Sequence, residues 1–426
     1  MRGTRVRVIA GTAVAAIAMA ACSGGGSSNN SNNSNNSSGA SGSSGSSSSS
    51  GALKTVTVGL LTDVTGPAAS GNKLSQTGVK GGQVYAERNG YKIKVVVADT
   101  QTNPSAVLSV AQKLVTQDHV DAVIAHSAIA FAAAPYLTSK GIPVVGVAED
   151  GPEWQTAKNM FSVWGAIHFN KVSTTVGNFF KLLGANPVGA LGYGISPSSA
   201  QASKATGVSA QAVGLDVGYI NSNFPFGSTN VQPIALAMKN ANVQGLTTAT
   251  DPNTAYALVG ALKNIGHTPK AVVLASGYGV DTLQAGPGAL QNAQNVYFTT
   301  VWQPVEMNTP GTRQFQSDLE QAGFTQVPSL AIYGGYLSVV LLVRGLKAAG
   351  STDKAKVIAA LSNVHDWDAA GMFPHGKTMD INDRENIITG VDNCEFATKL
   401  VGTKFELVKD ADPVCGEDTG KTVSSK

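Results

Sequence analysis

TVTVGLLT at residues 55–62 is the first of four short apolar runs that decide the fold class; the others are KIKVVVAD (92–99), DAVIAH (121–126) and IPVVGVA (142–148). Such runs, rich in β-branched residues and bounded by Gly, Pro or Asp, are typical of strands buried on both faces of a parallel sheet. Between the second and third runs, Asn103 and Pro104 are well suited to begin a helix. The first half of the chain therefore alternates strand and helix.

The second half of the chain repeats this plan. Strands are predicted at 187–193, 243–250, 270–276 and 295–301, and helices near 198–213, 230–241 and 253–265. Two stretches of comparable length that alternate strand and helix predict an α/β fold with two doubly wound, Rossmann-like lobes. Because such sheets bind ligands beyond the carboxyl ends of their strands, the two lobes would face each other across a ligand cleft.

The charge of the chain argues against nucleic acid as a partner. The formal net charge is +3, and Arg2, Arg5 and Arg7 account for all of this excess. Without the segment before Cys22 the chain is neutral, whereas binding to nucleic acid requires a basic surface.

The N-terminal segment resembles a bacterial lipoprotein signal. The three arginines precede an uncharged, largely apolar run at 8–21, which is too short to span a bilayer comfortably. Small residues stand directly before Cys22, although the Leu that usually lies three residues before such a cysteine is Met19 here. We expect residues 1–22 to be a signal peptide with Cys22 as the lipidation site. The alternative is an ordinary secretory signal with an incidental cysteine.

Two further segments bear on the attachment of the chain to a membrane. Residues 23–51 contain only Ser, Gly and Asn apart from one Ala, which predicts a disordered tether between the lipid and the folded body. The run at 330–343 is uncharged and largely apolar, but Gly and Tyr residues interrupt it. It therefore predicts a buried core helix and not a membrane span.

Cys394 and Cys415 are the two cysteines that remain after Cys22. In an exported chain such a pair predicts one disulfide. Closing the loop between them would stabilise the fold by about 3 kcal/mol if the effect is mainly on the entropy of the unfolded chain.

Several segments occur in an order that resembles a known family. They are GLLTDVTGPAASG (59–71), DTQTNPSAVLSVAQKLV (99–115), AHSAIAFAAAPYLTSKGIPVVGVA (125–148), AYALVGALKNIGHTPKAVVLAS (255–276) and YGGYLSVVLLVRGLKAAG (333–350). Together with the lipoprotein-like start, they resemble the extracytoplasmic solute-binding proteins of ABC importers, of the type I kind that binds branched-chain amino acids. The resemblance covers most of residues 54–408.

The resemblance implies two lobes joined by three hinge crossovers, with a late segment that returns to the first lobe. Lobe 1 is then expected to comprise residues 52–166 and about 302–375, and lobe 2 residues 167–301 and about 376–415, followed by a flexible tail at 416–426. The implied protein is a monomeric receptor, lipid-anchored outside the cell membrane, without a cofactor. It would close on a small ligand and deliver that ligand to a membrane permease.

The resemblance also implies ligand contacts after the third and fourth strands of lobe 1. The matching residues are Ser127 and Ala128 in one loop and Ala148 and Asp150 in the other. The hydroxyl and backbone N–H of Ser127 would suit a carboxylate or another polar group. Amino-acid binders usually carry Thr or Ser where Asp150 stands, and an anionic Asp would repel a substrate carboxylate.

In lobe 2, amino-acid binders often place an acid after the strand that matches 270–276, where it holds an ammonium. Here Gly277 and Tyr278 occupy that region, and Asp281 lies further on. With Asp150 in place of a hydroxyl, this departure favours a neutral or cationic polar ligand over a zwitterionic aliphatic amino acid.

Other candidates lie at or just past predicted strand ends, and each has a structural alternative. They are Tyr193, Ser196, Ser198, Asp251, Tyr278 and Trp302. The tyrosines could pack under a loop, and the serines could serve in turns or caps. Asp251, which precedes a proline, is equally suited to cap a helix. Trp302 could pack in the hinge, as could Trp164.

Enzyme and metal-site interpretations find little support. GMFPHGKT (371–378) fits the phosphate-loop pattern, but neither an apolar strand nor an apolar helix flanks it. The sequence contains neither G-x-S-x-G nor H-E-x-x-H, and the densest metal-ligating cluster, at 365–375, is interpreted as a solvated loop. We therefore expect no catalytic residue and no metal. A receptor that signals to a partner and, more remotely, a surface enzyme stay open as alternatives.

Overall fold

The computed structural model describes residues 52–426. The predicted signal peptide, the lipidation site Cys22 and the tether lie outside the described residues. The described chain contains two large sheets and a small third one, with helices on both faces of each large sheet.

Lobe 1 is built on a parallel sheet with the strand order β2-β1-β3-β4-β5. Its strands are β1 (Lys54–Thr62), β2 (Tyr91–Asp99), β3 (Ala122–His126), β4 (Val144–Gly146) and β5 (Met160–Ser162). In the register of this sheet Thr62 pairs with both Asp99 and His126, so the carboxyl ends of three strands meet at one edge.

Lobe 2 contains the sheet β13-β12-β11-β10-β9-β7-β8, in which β12 and β13 run antiparallel to their neighbours and β14 pairs with β12. Its strands are β7 (Val188–Tyr193), β8 (Val217–Phe224), β9 (Gly245–Ala249), β10 (Ala271–Leu274), β11 (Tyr297–Thr300), β12 (Cys394–Val401), β13 (Lys404–Leu407) and β14 (Val414–Cys415). A separate pair joins β6 (Lys171–Ser173) to β15 (Asp418–Thr422). All eight strands predicted from the sequence are present.

Helices connect most of the parallel strands. In chain order they are α1 (Ala69–Asn72), α2 (Ser75–Arg88), α3 (Pro104–Thr116), α4 (Ala134–Ser139), α5 (Glu153–Thr156), α6 (Thr175–Leu182), α7 (Pro197–Ala212), α8 (Gln232–Asn240), α9 (Pro252–Asn264), α10 (Val280–Leu283), α11 (Pro287–Asn292), α12 (Pro310–Gln321), α13 (Leu330–Ala349) and α14 (Lys354–Leu361). The predicted start of α3 is confirmed, because the Asn103 side chain accepts from the backbone N–H groups of Ser105 and Ala106.

The late helices α12 and α13 pack against α2, so the chain returns to lobe 1 after β11. Asp318 of α12 fixes this contact, because its buried carboxylate accepts from both terminal nitrogens of Arg88, at 2.5 and 2.8 Å, and from the Tyr336 hydroxyl. The return agrees with the discontinuous lobes expected from the sequence, whose exact bounds stay a prediction.

One expected bound, the start of lobe 2 near residue 376, lies before a loop that contacts both lobes, and the bound stays a prediction. Arg384 donates to the carbonyl oxygens of Trp154, Ala157 and Met160, all in lobe 1. The Asn382 side chain donates to the backbone carbonyls of Leu361 and Val364, at and just after the end of α14. These side-chain contacts attach the loop that ends at Arg384 to lobe 1. The composition of the segment did not indicate them.

The predicted flexible tail at 416–426 is instead ordered in part as β15. This strand pairs with β6, and the backbone N–H of Val423 donates to the carbonyl of Asn170 at 2.7 Å. The side chain of Lys204 also donates to the carbonyls of Ser424 and Lys426. Because the backbone makes most of these contacts, the polar side chains of the segment gave no indication of a strand.

Helix α13 confirms the predicted core helix. Within residues 52–426 it is the one helix long and apolar enough to cross a membrane, and 83% of its most apolar window is buried inside the protein. It packs on α2, α14 and the strands β3 and β4. Its apolar surface is thus used in the core of lobe 1.

The predicted disulfide is confirmed, because Cys394 of β12 is bonded to Cys415 of β14. We expect protein isolated from its native compartment to contain no free thiol at either position. The measurement is mass spectrometry after alkylation under non-reducing conditions, with a reduced sample as the control. Alkylation of both cysteines without prior reduction would contradict the bridge.

Candidate ligand-binding cleft

A cavity of about 240 Å³ lies between the carboxyl ends of the two large sheets. Its polar and aromatic lining residues include Asn72, His126 and Glu149 from lobe 1, Tyr193, Ser196, Ser198, Phe226, Asp251 and Asp281 from lobe 2, and Trp164, Phe169 and Trp302 from the segments between the lobes. This is the position at which doubly wound sheets bind ligands.

Direct hydrogen bonds join the two lobes at the rim of this cavity. The Ser70 hydroxyl of lobe 1 donates to the Asp251 carboxylate of lobe 2 at 3.1 Å. The Ser198 hydroxyl, at the start of α7, donates to the backbone carbonyl of Glu149 at 2.6 Å and to that of Asp150 at 3.1 Å. The structure therefore has its lobes in contact beside the cavity.

Asp63 occupies the donors that the sequence assigned to a ligand. Its buried carboxylate accepts from the Ser127 hydroxyl at 2.8 Å and from the backbone N–H of Ala128 at 2.9 Å. It also accepts from the Asn72 side chain at 2.8 Å and from the Thr100 hydroxyl. Ala128 lines the cavity and Ser127 does not. The expected carboxylate-binding loop is thus already bound to a carboxylate of the protein itself.

The side chain of Asp150 turns into lobe 1 and does not line the cavity. Its carboxylate accepts from the Trp154 indole at 2.9 Å and from the backbone N–H of Phe131 at 2.5 Å. These two donors hold the side chain away from the cleft. The expectation that Asp150 faces a ligand is therefore corrected, and its neighbour Glu149 is the acid that lines the cavity.

Glu149 is the acidic group at the lobe 1 wall. Burial raises its pKa well above the usual value, and the nearby charges of Asp63 and Asp150 raise it further. His126 lies 3.9 Å away, between its Nε2 and the Oε1 of Glu149, and burial lowers the pKa of this histidine to about 4. The imidazole is therefore neutral at pH 7 and supplies no counter-charge.

Two further acids line the cavity from lobe 2. Asp251 caps α9, since its side chain accepts from the backbone N–H groups of Asn253 and Thr254, and it also accepts from the Tyr193 hydroxyl. The helix cap at Asp251 is therefore confirmed, and Asp251 also lines the cavity, where a ligand contact stays a prediction. Burial raises the pKa of Asp281 well above its usual value. An acid after β10 is thus present, at Asp281.

Two of the predicted contacts lie in the core. Tyr278 is 1% exposed and its hydroxyl donates to Glu306 at 2.5 Å, while its ring packs against Phe405 of β13. Ala148 is buried among the apolar residues of lobe 1. Neither residue lines the cavity, because tertiary packing turns both toward the interior.

Trp164 and Trp302, in the segments between the lobes, form what we call the aromatic wall of the cavity. The Trp164 and Trp302 rings are stacked with centroids 5.6 Å apart, and the other face of Trp302 stacks on Tyr333 at 5.9 Å. Among the residues that the structure describes, neither indole N–H of this pair has an acceptor. Both tryptophans therefore pack in the hinge and line the cavity as well.

The cavity has an acidic character overall. Glu149, Asp251 and Asp281 line it, and its lining residues within the described chain include no Lys and no Arg. Nor do residues 52–426 contain a group of three or more His, Cys, Asp or Glu placed to hold a metal ion. The acids of this lining match a cation when they are ionised, and the two indole N–H groups that are unpartnered within the described chain match a hydrogen-bond acceptor.

Comparison with known proteins places this geometry in a family. The family model described as periplasmic binding protein matches residues 55–388. A leucine-binding protein of Thermotoga maritima is similar in structure with a TM-score of 0.70 and 17% identity, covering 83% of this chain and 97% of that chain. No curated protein sequence gives a significant match.

Two similar structures were solved with ligands. A branched-chain amino acid transporter substrate-binding protein of Streptococcus pneumoniae holds isoleucine; its TM-score is 0.66 at 19% identity, over 83% of this chain and 99% of that chain. A solute-binding protein of an ABC transporter from R. palustris holds 4-hydroxybenzoate; its TM-score is 0.66 at 19% identity, over 83% and 96%. At these identities the likeness concerns the fold.

The family consists of extracytoplasmic solute-binding proteins of the ABC-transporter type, and its members are binding proteins and not enzymes. The match to the family model spans most of the chain, and the two-lobed α/β architecture agrees with it. The chain therefore belongs to the periplasmic binding protein family and has the type I fold.

Proposed function

We propose that this protein captures a small cationic or neutral polar ligand between its lobes and delivers it to an ABC permease. Family membership supports solute binding, and the acidic cleft supports the ligand class. The proposal assigns to the protein no bond-making or bond-breaking step. The protein then selects its ligand by binding affinity alone.

The observation that carries this proposal is the position of Asp63. In a binder of amino acids the hydroxyl and the amide after β3 would be available for the ligand carboxylate. Here Ser127 and Ala128 donate to Asp63 instead. When protonated, as burial favours, Glu149 offers a ligand a hydrogen-bond donor. When ionised, it would destabilise a ligand carboxylate about 4 Å away by about 4 kcal/mol at an effective dielectric constant of 20. An ammonium at the same distance would be stabilised by a similar amount.

Closure of the lobes provides the mechanism. A ligand that contacts both lobes stabilises the closed state and shifts the population toward it. The bonds from Ser70 to Asp251 and from Ser198 to the Glu149 carbonyl accompany the closed arrangement. A permease that recognises the closed pair of lobes would thus receive loaded protein.

Titration calorimetry on the purified full-length protein in detergent tests the ligand class. We expect alkylamines, amides or polyols to bind, and leucine, isoleucine and valine to bind weakly or not at all. A thermal-shift screen of the same compounds identifies candidates first, because a bound ligand raises stability by mass action. Micromolar binding of leucine, isoleucine or valine, with no binding of the cationic or neutral compounds, would contradict the proposal.

We also propose that Cys22 anchors the protein to the membrane through lipid. Replacing Cys22 by Ala is expected to abolish detergent-phase partitioning, because two or more acyl chains bind a membrane stably and the body offers no exposed span. Detergent phase separation measures the partitioning, and mass spectrometry of the N-terminal peptide detects the lipid on Cys22. Replacing Ser23 by Ala is the matched control and should leave partitioning unchanged. Aqueous partitioning of the unaltered protein would show that the anchor is absent.

A further inference from the structure

A second cavity, of about 200 Å³, lies inside lobe 2 behind the aromatic wall; we call it the inner chamber. Three segments that pass between the lobes, at 164–173, 299–302 and 388–389, contribute to its lining. The inward face of α7 and one face of the sheet complete it. Its residues include Ile167, Lys171, Ser203, Ala205, Thr206, Ser209, Thr247, Val273, Thr299, Thr389 and Glu395. The chamber is thus a gap in the core between α7 and strands β9 to β12.

The inner chamber adjoins the cleft cavity. Trp164, Phe169, Ala202 and Trp302 line both spaces, so the two meet at these side chains. Volumes of about 240 and about 200 Å³ each fall below the roughly 300 Å³ at the lower end of typical small-molecule sites. Taken together, the two spaces reach that range.

Most of the hydroxyl groups on the α7 wall of the chamber are already bonded within the protein. Thr206 donates to the Ala202 carbonyl at 3.0 Å, and Ser203 donates to the Ala200 carbonyl at 2.9 Å. The Ser209 hydroxyl accepts from the backbone N–H of Gly177 at 2.9 Å. This wall therefore offers a ligand mainly methyl and methylene surface.

Glu395 is the exception in this lining. It is the only acidic residue among the chamber's described lining residues, and it takes part in no ion pair in residues 52–426. The one basic residue of the lining, Lys171, donates to the backbone carbonyl of Glu385. Burial raises the pKa of Glu395 to about 7, as expected for a carboxyl group in an apolar enclosure.

The frame around Glu395 is rigid. Its neighbour Cys394 is bonded to Cys415, and β12 pairs with β11 on one side and β14 on the other. Such a frame fixes the backbone of Glu395 beside the chamber. Thr299 supplies a hydrogen bond to this partly buried carboxyl group, and a ligand cation would add the counter-charge that no ion pair of the described chain provides.

We propose that the inner chamber is a second subsite for the far end of an elongated ligand that carries a cationic or hydrogen-bond-donating group at each end. One end lies in the cleft near Glu149 and Asp281, and the other end reaches Glu395. The apolar middle of the ligand passes beside Trp164 and Trp302, whose rings also attract cations. This proposal rests on the proposed function, because it extends the ligand that the cleft receives.

Linear alkylamines and α,ω-diaminoalkanes of four to ten carbons are the probes. Calorimetry with the full-length protein should show that diamines bind about tenfold or more tightly than monoamines of equal length. The gain should peak at one chain length, at which the second ammonium reaches Glu395. Replacing Glu395 by Gln should remove this gain and leave monoamine affinity unchanged. Replacing Glu406, an exposed acid on β13, by Gln is the matched control.

A second variant tests the chamber without touching its carboxyl group. Ala205→Phe should fill the chamber and abolish the length optimum, because Ala205 lines only this space. The chamber proposal would be overturned if diamines bound no more tightly than monoamines at any chain length, or if Glu395→Gln kept the higher affinity of the diamines. Binding of monoamines in the same experiment would still uphold the proposed function. If neither monoamines nor diamines bound, both proposals would be wrong in assigning a cationic group to the ligand.

Discussion

Replacing Glu149 by Gln is expected to weaken the binding of an alkylammonium ligand by about 100-fold. The reason is that Glu149 lines the cleft without a cationic partner, and removing one member of a buried charge pair costs about 2 to 5 kcal/mol. The substitution keeps the size of the side chain, so the cavity should keep its shape. Calorimetry on the full-length protein at pH 7.5 gives both dissociation constants.

The pH dependence of this binding distinguishes the contribution of the Glu149 charge to the affinity from the contribution of the cavity's shape. Because burial raises the pKa of Glu149 well above its usual value, the protonated form of its carboxyl group is favoured when the cleft is empty. A cation favours the ionised form, so binding releases a proton and affinity rises with pH up to the raised pKa. His126 contributes nothing to this slope above pH 6, because its pKa is lowered to about 4.

Two comparisons make the result decisive. Glu87→Gln changes an exposed acid on α2 and should leave both the affinity and its pH slope unchanged. Glu149→Gln should reduce the proton release measured in buffers with different ionisation enthalpies, and any release that remains would come from Asp281, the other cleft acid with a raised pKa. Equal affinity and equal proton release in Glu149→Gln and the unaltered protein would show that the ligand does not meet this carboxyl group.

The strands of both lobes were predictable because they are short, apolar and β-branched, and burial on two faces leaves that mark in the sequence. Strand β8 was missed because VGYINSNF, at the edge of the sheet, contains neither a continuous apolar run nor a regular alternation of polar and apolar residues. Strand β15 was missed because its pairing with β6 uses backbone groups that any polar segment possesses. Edge strands therefore left a weaker signal than central ones.

The place of the cleft followed from the strand ends, but the direction of each side chain did not. Asp150 and Glu149 are neighbours, and only the positions of the Trp154 and Phe131 donors decide which one turns inward. Asp63 was overlooked although it directly follows β1, at the same sheet edge as His126. An acid at the end of a central strand was the available signal. The engagement of Ser127 by Asp63 depends on a contact between residues far apart in the chain.

Replacing Glu153 by Gln is expected to stabilise the protein at alkaline pH and to have little effect at pH 4. Burial, followed by the charge of Asp150, raises the pKa of Glu153 well above its usual value. Below about pH 4 both the folded and the unfolded chain hold this proton, so stability is independent of it. Above that pH the unfolded chain releases the proton and the folded chain keeps it, so the free energy of unfolding falls as pH rises.

The slope for one such group is at most about 1.4 kcal/mol per pH unit, which gives an upper limit of about 4 kcal/mol three units above the unfolded pKa. We expect Glu153→Gln to gain about 2 to 4 kcal/mol over the unaltered protein at pH 8, since an amide does not titrate. Urea unfolding of both proteins at pH 4 and pH 8 provides the measurement; buried acids that do not contact Glu153 cancel in the difference, and Asp150, which does, belongs to the effect. Glu385→Gln, at an exposed acid, is the control. A difference between Glu153→Gln and the unaltered protein that is the same at both pH values would mean that Glu153 is ionised in the folded state.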